Sequence, residues 1–290
     1  MSAQTHRRAV LPGWSLLTGI VLLPLLAACG SSDKDALAAA ASQPVEQMYN
    51  NGVDALHDKR YTTADTQFEL VQQNYPYSSW AVNAQLMEGY SLYLQNKYTD
   101  AIGTLDRFIQ LHPTHRDIAY AYYLRALSYY EQIGDIQRDQ QGTEQAMTAL
   151  NEVVTRFPDS AYARDARLKI DLCRDHLAGK EMEIGRWYEK QHLYTAAIGR
   201  FQRVVDNYQT TNHVPEALSR LTEIYLILGM KDEARRTAAV LGYNYPGNSW
   251  YEDSYNDLFD NGLVPNAQNE PATTTRGQEN FLERAWHSVF

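Results

Sequence analysis

Ala101-Ile102-Gly103-Thr104-Leu105-Asp106-Arg107-Phe108-Ile109-Gln110-Leu111-His112-Pro113 is the stretch that decides the fold. Ala101, Leu105 and Phe108 recur at helical spacing on one face, and Pro113 ends the run because proline cannot extend a helix. Gly89 stands ahead of it in a second helical segment. The same slots return along the chain. Gly52, Ala64, Phe68 and Pro76 fill them upstream, and Ala126, Ala146, Leu150, Val153 and Pro158 downstream. A fourth set has Gly185, Tyr188, Ala197, Phe201 and Val204, with Gln209 in place of the proline. A fifth has Tyr225, Ala234, Ala238, Leu241 and Pro246. Helices that cross closely need a small residue where the backbones meet and large residues on either side. The spacing therefore predicts an antiparallel helix pair used five times.

A helix pair with this small-residue and proline spacing resembles the tetratricopeptide (TPR) unit of about 34 residues. The expected fold is all-α, a TPR-type α-solenoid of five helix pairs, with a polar, turn-rich insertion at residues 133–142 inside the third. A second echo supports it. Tyr75-Pro76-Tyr77-Ser78-Ser79-Trp80, Phe157-Pro158-Asp159-Ser160-Ala161-Tyr162 and Tyr245-Pro246-Gly247-Asn248-Ser249-Trp250 share an aromatic-Pro-x-polar-x-aromatic pattern. Each marks a turn into the next helix and offers a Ser or Asn to cap it. Apolar runs of strand period are absent.

The N-terminus carries a different signal. Arg7 and Arg8 precede an apolar run from Leu16 to Ala28, and Leu26-Ala27-Ala28-Cys29 closes it. This is the charged, apolar and small-residue layout of a secretory signal, and the run is too short for a membrane span of about 20 residues. A cysteine just after the cleavage point resembles a bacterial lipobox. That implies diacylglycerol and acyl chains on Cys29, enough for stable anchoring, and an outer-membrane position facing the periplasm. The expected organisation is a signal peptide at 1–28, a lipid tether at 29–43, the solenoid at 44–260 and a flexible tail at 261–290. In the tail, Phe281, Leu282, Ala285, Trp286 and Val289 share one helical face, either to dock a partner or to cap the solenoid end.

The bulk chemistry excludes several roles. The net charge is −9, and losing Arg7 and Arg8 with the signal takes it to −11, so nucleic acid is not an expected partner. Cys29 and Cys173 are the two cysteines; with Cys29 acylated, Cys173 has no disulfide partner and reads as a buried small hydrophobe. No HExxH, GxSxG, Walker A, CxxC or Glu-Ser pattern occurs, so no enzyme, metal or cofactor beyond the covalent lipid is expected. His112 and His115 flank Pro113 at a spacing of three, and a metal site built on that pair is not expected. The histidines outside the signal read as lying at helix ends or in turns. Of the 21 tyrosines most read as packing, and the rest, with Arg125, as a peptide-binding groove.

The mature chain also resembles the BamD family, lipoproteins of the outer-membrane β-barrel assembly machine. Asp106-Arg107-Phe108-Ile109-Gln110-Leu111-His112-Pro113-Thr114-His115, Arg138-Asp139-Gln140, the run from Ala146 to Tyr162 and Asp175-His176-Leu177-Ala178 carry the likeness. The resemblance implies a non-enzymatic scaffold. Its partners would be a POTRA-bearing β-barrel insertase on the C-terminal repeats (119–260), unfolded outer-membrane proteins on the N-terminal repeats (44–118), and other assembly lipoproteins. It places Arg200 at the contact with a POTRA carboxylate, and Tyr75 either at the substrate's C-terminal signal or as a packing residue ending its helix. Tyr61, Thr62 and Ser78 depart from the family's pattern near the substrate side. The repeat alone equally fits another periplasmic TPR adaptor coordinating envelope or peptidoglycan processes.

Overall fold

A computed structural model describes residues 43–264. The signal, the lipid site at Cys29, nearly all of the tether and the amphipathic face at 281–289 lie outside the described residues. Those residues form eleven helices and no strand: α1 (Val45–His57), α2 (Tyr61–Asn74), α3 (Ser79–Leu94), α4 (Tyr98–Leu111), α5 (Ile118–Tyr130), α6 (Gln141–Arg156), α7 (Ala161–Lys190), α8 (Tyr194–Asn207), α9 (Val214–Ile227), α10 (Lys231–Asn244) and α11 (Ser249–Asp260). Each helix packs on the next, and α1 with α3, α3 with α5, α5 with α7 and α9 with α11 also touch, as in a stack of TPR hairpins.

The repeated glycines act as their spacing implies. A Cβ on Gly52 would lie 2.7 Å from the Phe68 ring, one on Gly89 2.8 Å from Leu105, and one on Gly185 2.5 Å from Phe201. Phe68, Leu105 and Phe201 are fully buried, so the small residue is what lets two helices close over a large side chain. Ala126, Ala146 and Leu150 are buried in the same way in the third hairpin.

Two turn types alternate. Inside a hairpin, Lys59, Asn96, His192 and Gly229 take φ of 59°, 59°, 58° and 74°. The next residue's N–H then returns to the preceding helix: Arg60 to Ala55 O, Lys97 to Leu92 O, Leu193 to Tyr188 O and Met230 to Tyr225 O, at 2.8–3.0 Å. Between hairpins, Ser78, His115, Ser160, Thr211 and Asn248 donate their N–H to the carbonyl three residues back, at 3.0–3.2 Å. The Ser78 and Ser160 hydroxyls and the Asn248 amide oxygen accept from the N–H groups of Ala81, Ala163 and Trp250, capping α3, α7 and α11 as expected. The turn without proline has the same form: Tyr208 sits at φ −128°, ψ 41°, beside −132°, 52° at Tyr75 and −132°, 55° at Phe157.

Two boundaries and the place of one histidine differ from the sequence expectation. The insertion ends at Gln140, because Gln141 and Gly142 already belong to α6. α7 runs unbroken for 30 residues through Asp175-His176-Leu177-Ala178, so His176 lies mid-helix rather than at an end. The insertion packs on the middle of that helix, where a Cβ on Gly179 would meet Ile136 at 2.5 Å. There Lys180 Nζ donates to Gln137 O at 3.0 Å and His176 Nδ1 pairs with Gln140 Oε1 at 2.9 Å. Finally, packing continues past residue 260. Gly262 turns at φ 70° and Val264 is buried with Leu258 and Tyr255, so the first residues assigned to the tail belong to the folded end.

Candidate protein-interaction site

Arg200 lies on α8, one residue before the buried Phe201 and three after the buried Ala197. The helix face that buries those two residues leaves the Arg200 side chain at the rim of the α7/α8 crossing, 28% exposed. It is paired there. Arg200 Nη1 donates to both oxygens of Glu181 on α7, at 3.3 Å and 3.1 Å. Arg203, more exposed, brings its own Nη1 to 3.6 Å from Glu181 Oε1. Two guanidinium groups thus share one carboxylate that is only 18% exposed. Sequence reasoning missed Glu181: it stands 19 positions from Arg200, outside any spacing one helix relates.

Tyr75 ends α2, where its backbone N–H donates to Val71 O and its ring packs, half-buried, on the core built around Met48 and Phe68. The solvent-facing aromatic of that turn is Tyr77, fully exposed two residues on. Ser78, the departure from the family pattern, caps α3. Tyr61 carries its carbonyl to the next helix, where it accepts from Ser91 Oγ at 2.7 Å.

The tyrosines sort by face. Tyr90 on α3 meets Tyr120 on α5 at 6.4 Å between ring centroids, Tyr120 meets Tyr162 on α7 at 5.6 Å, and Tyr162 stacks on Tyr123 at 5.2 Å. These four half-buried rings form a row across three successive first helices of hairpins. Tyr123 donates to Asp165, and burial pushes its hydroxyl pKa up. Tyr122 points the other way, buried against Phe157 with the guanidinium groups of Arg125 and Arg156 over its ring at 5.0 Å and 5.2 Å.

Arg125 lies on the side of α5 away from that row. Its side chain is 14% exposed and committed to Asp106 and Glu152, so it ties α4, α5 and α6 together, and with Tyr129 it lines an open cleft beside α6 whose other walls include Gln141, Gln145 and Thr148. His112 and His115 are packing residues as well. Both rings lie on Phe108, at 5.4 Å and 5.2 Å, and His115 Nδ1 accepts the Asp117 N–H at 3.2 Å. Burial, with His115 beside it, lowers the pKa of His112. No group of three or more metal-ligating side chains occurs among the described residues. Cys173 is buried, and burial pushes its thiol up to about 11. No helix among the described residues is long and apolar enough to cross a membrane.

A stack of paired, antiparallel helices with charged and aromatic faces defines a helical-repeat protein of the TPR type. Residues 41–241 match the YfiO family, described as outer membrane lipoprotein, and the chain belongs to that family. It is 47% identical over 268 residues to the outer membrane protein assembly factor BamD of Caulobacter vibrioides, covering 92% of this chain and 87% of the relative. Its identity to the BamD of Rickettsia prowazekii is 45% over 254 residues, 88% of this chain and 98% of the relative. Among solved structures, a thermophilic TPR protein of Thermus thermophilus aligns at TM-score 0.36 and 19% identity, over 74% of this chain and all of that one.

Proposed function

We propose that this chain is a non-enzymatic scaffold for the assembly of β-barrel proteins into the outer membrane, held at the periplasmic face by lipid on Cys29. Membership of the YfiO family together with high identity to two assembly factors named BamD carries this reading. The C-terminal hairpins receive the insertase, with Arg200 facing a carboxylate of its POTRA domain. A guanidinium suits that task because its planar fork grips a carboxylate with two parallel hydrogen bonds. The N-terminal hairpins receive the C-terminal signal of an unfolded barrel protein around the Tyr75 turn. The exposed Tyr77 offers aromatic area at that turn at low entropic cost. Accessory lipoproteins and the membrane lipid complete the partner set.

Affinity purification of the lipidated protein from mild detergent, with mass spectrometry of its companions, tests the reading. Near-stoichiometric recovery of a POTRA-bearing barrel protein is the expected result. Recovery of cell-wall or division proteins without it would transfer the chain to the wider class of periplasmic TPR adaptors.

A further inference from the structure

We infer that Glu181 is a positioning residue for Arg200, so that the unit presented to a partner's carboxylate is the triad of Glu181, Arg200 and Arg203 rather than one arginine. The inference rests on the reading of Arg200 given above and deepens it. Glu181 meets Arg200 through a single nitrogen: both carboxylate oxygens accept from Nη1. Neither Nε nor Nη2 of Arg200 makes a hydrogen bond among the described residues, so the forked edge that best fits a second carboxylate stays open. A long side chain loses rotamer freedom when a partner fixes it, and that loss weakens binding unless the fold has already fixed the group. Glu181, anchored mid-helix on α7 and 18% exposed, supplies that prior fixation.

Charge points the same way. One carboxylate between two guanidinium groups leaves a net charge of about +1 on a chain that is otherwise acidic. An acidic side chain of the partner neutralises that residue of charge, whereas a basic one meets repulsion. Arg203, at 57% exposure, is the outer member and widens the target for the incoming carboxylate.

A double-mutant cycle on the full lipidated chain tests this. Binding of the POTRA-bearing insertase from the same organism, in mild detergent, is measured for wild type, Glu181→Ala, Arg200→Ala and the double variant. The expected result is about tenfold weaker binding on Glu181→Ala in the wild-type background, and no further loss when Arg200 is already alanine. Tighter binding on Glu181→Ala would make Glu181 a competitor of the partner and overturn the inference. Equal weakening in both backgrounds would make Glu181 a general structural residue and overturn it equally. Weak binding by Arg200→Ala with Glu181→Ala unchanged overturns this inference alone; wild-type binding by Arg200→Ala overturns the Arg200 reading and this inference with it. Glu181→Gln, which keeps the side-chain shape, replaces the alanine variant if circular dichroism shows lost helix.

Discussion

Glu181 and Arg200 meet across the α7/α8 crossing, one guanidinium nitrogen holding both carboxylate oxygens at 3.3 Å and 3.1 Å. Read from its own helix, Arg200 is a surface charge whose reversal spares the fold. The pair changes that expectation. Arg200→Glu sets two carboxylates against each other at a rim where neither is fully solvated, at a cost of about 1–3 kcal/mol. For a chain of this size, that lowers the melting temperature by about 2–4 °C per kcal/mol. Adding Glu181→Arg restores most of the loss, and differential scanning calorimetry of the three proteins checks it. Arg200→Gln is the milder variant for separating binding from stability.

Glycines on the hairpins divide into two kinds. Gly185→Ala forces a methyl group to within 2.5 Å of the Phe201 ring, whereas Gly103, on α4, has nothing within 4 Å of its would-be Cβ. The first substitution costs about 1–3 kcal/mol by overpacking. The second gains about 0.5–1 kcal/mol by improving helix propensity. Urea unfolding midpoints that move in the same direction for both would contradict the assignment.

The fourth inter-hairpin turn holds its shape without proline. Tyr208 already adopts the conformation of the residues that precede Pro76 and Pro158, and Gln209 is exposed. Gln209→Pro therefore stabilises the chain by about 0.4–1 kcal/mol, by restricting the unfolded state. A lower unfolding midpoint would show that the Gln209 N–H or φ does not tolerate the ring.

Glu88, on α3, accepts from Gln72 Nε2 at 2.6 Å and Thr104 Oγ1 at 3.4 Å. Burial raises its pKa, and Asp65 and Glu69 add to the rise while Gln72 and Arg107 oppose it. A carboxyl whose folded pKa is raised holds its proton more tightly folded than unfolded. Its ionisation therefore opposes folding above the raised value, and the opposition fades as pH falls to the ordinary carboxylate range. Glu88→Gln raises the melting temperature at pH 7, and the gain over wild type shrinks as pH approaches about 4. A gain independent of pH would place the effect in packing rather than charge.

Cys173 is buried with its thiol pKa pushed up to about 11, so almost no thiolate exists near neutrality. Ellman's reagent at pH 8 should leave the folded protein unlabelled and react with one thiol per acylated chain in guanidinium. Rapid labelling of the native protein would show that α7 opens locally.

Much of this was legible because the repeat writes the same physics several times. Gly89 with Leu105, Pro113 at a helix end and Ser160 in a capping turn are local relationships, or relationships at a fixed offset, and spacing along the chain suffices to read them. The continuity of α7 was not legible. Whether a helix continues through Asp175 to Ala178 depends on what covers its sides, and the cover comes from Ile136 and Gln137 of a distant insertion. The commitments of individual polar groups were decided only in three dimensions. Arg125 is neutralised by Asp106 and Glu152 from two other helices, and Arg200 is held by Glu181 from a third. A charge finds its partner through the packing of whole helices, so the sequence determined which hairpins form, and the tertiary structure decided which of their charges remain open to a partner.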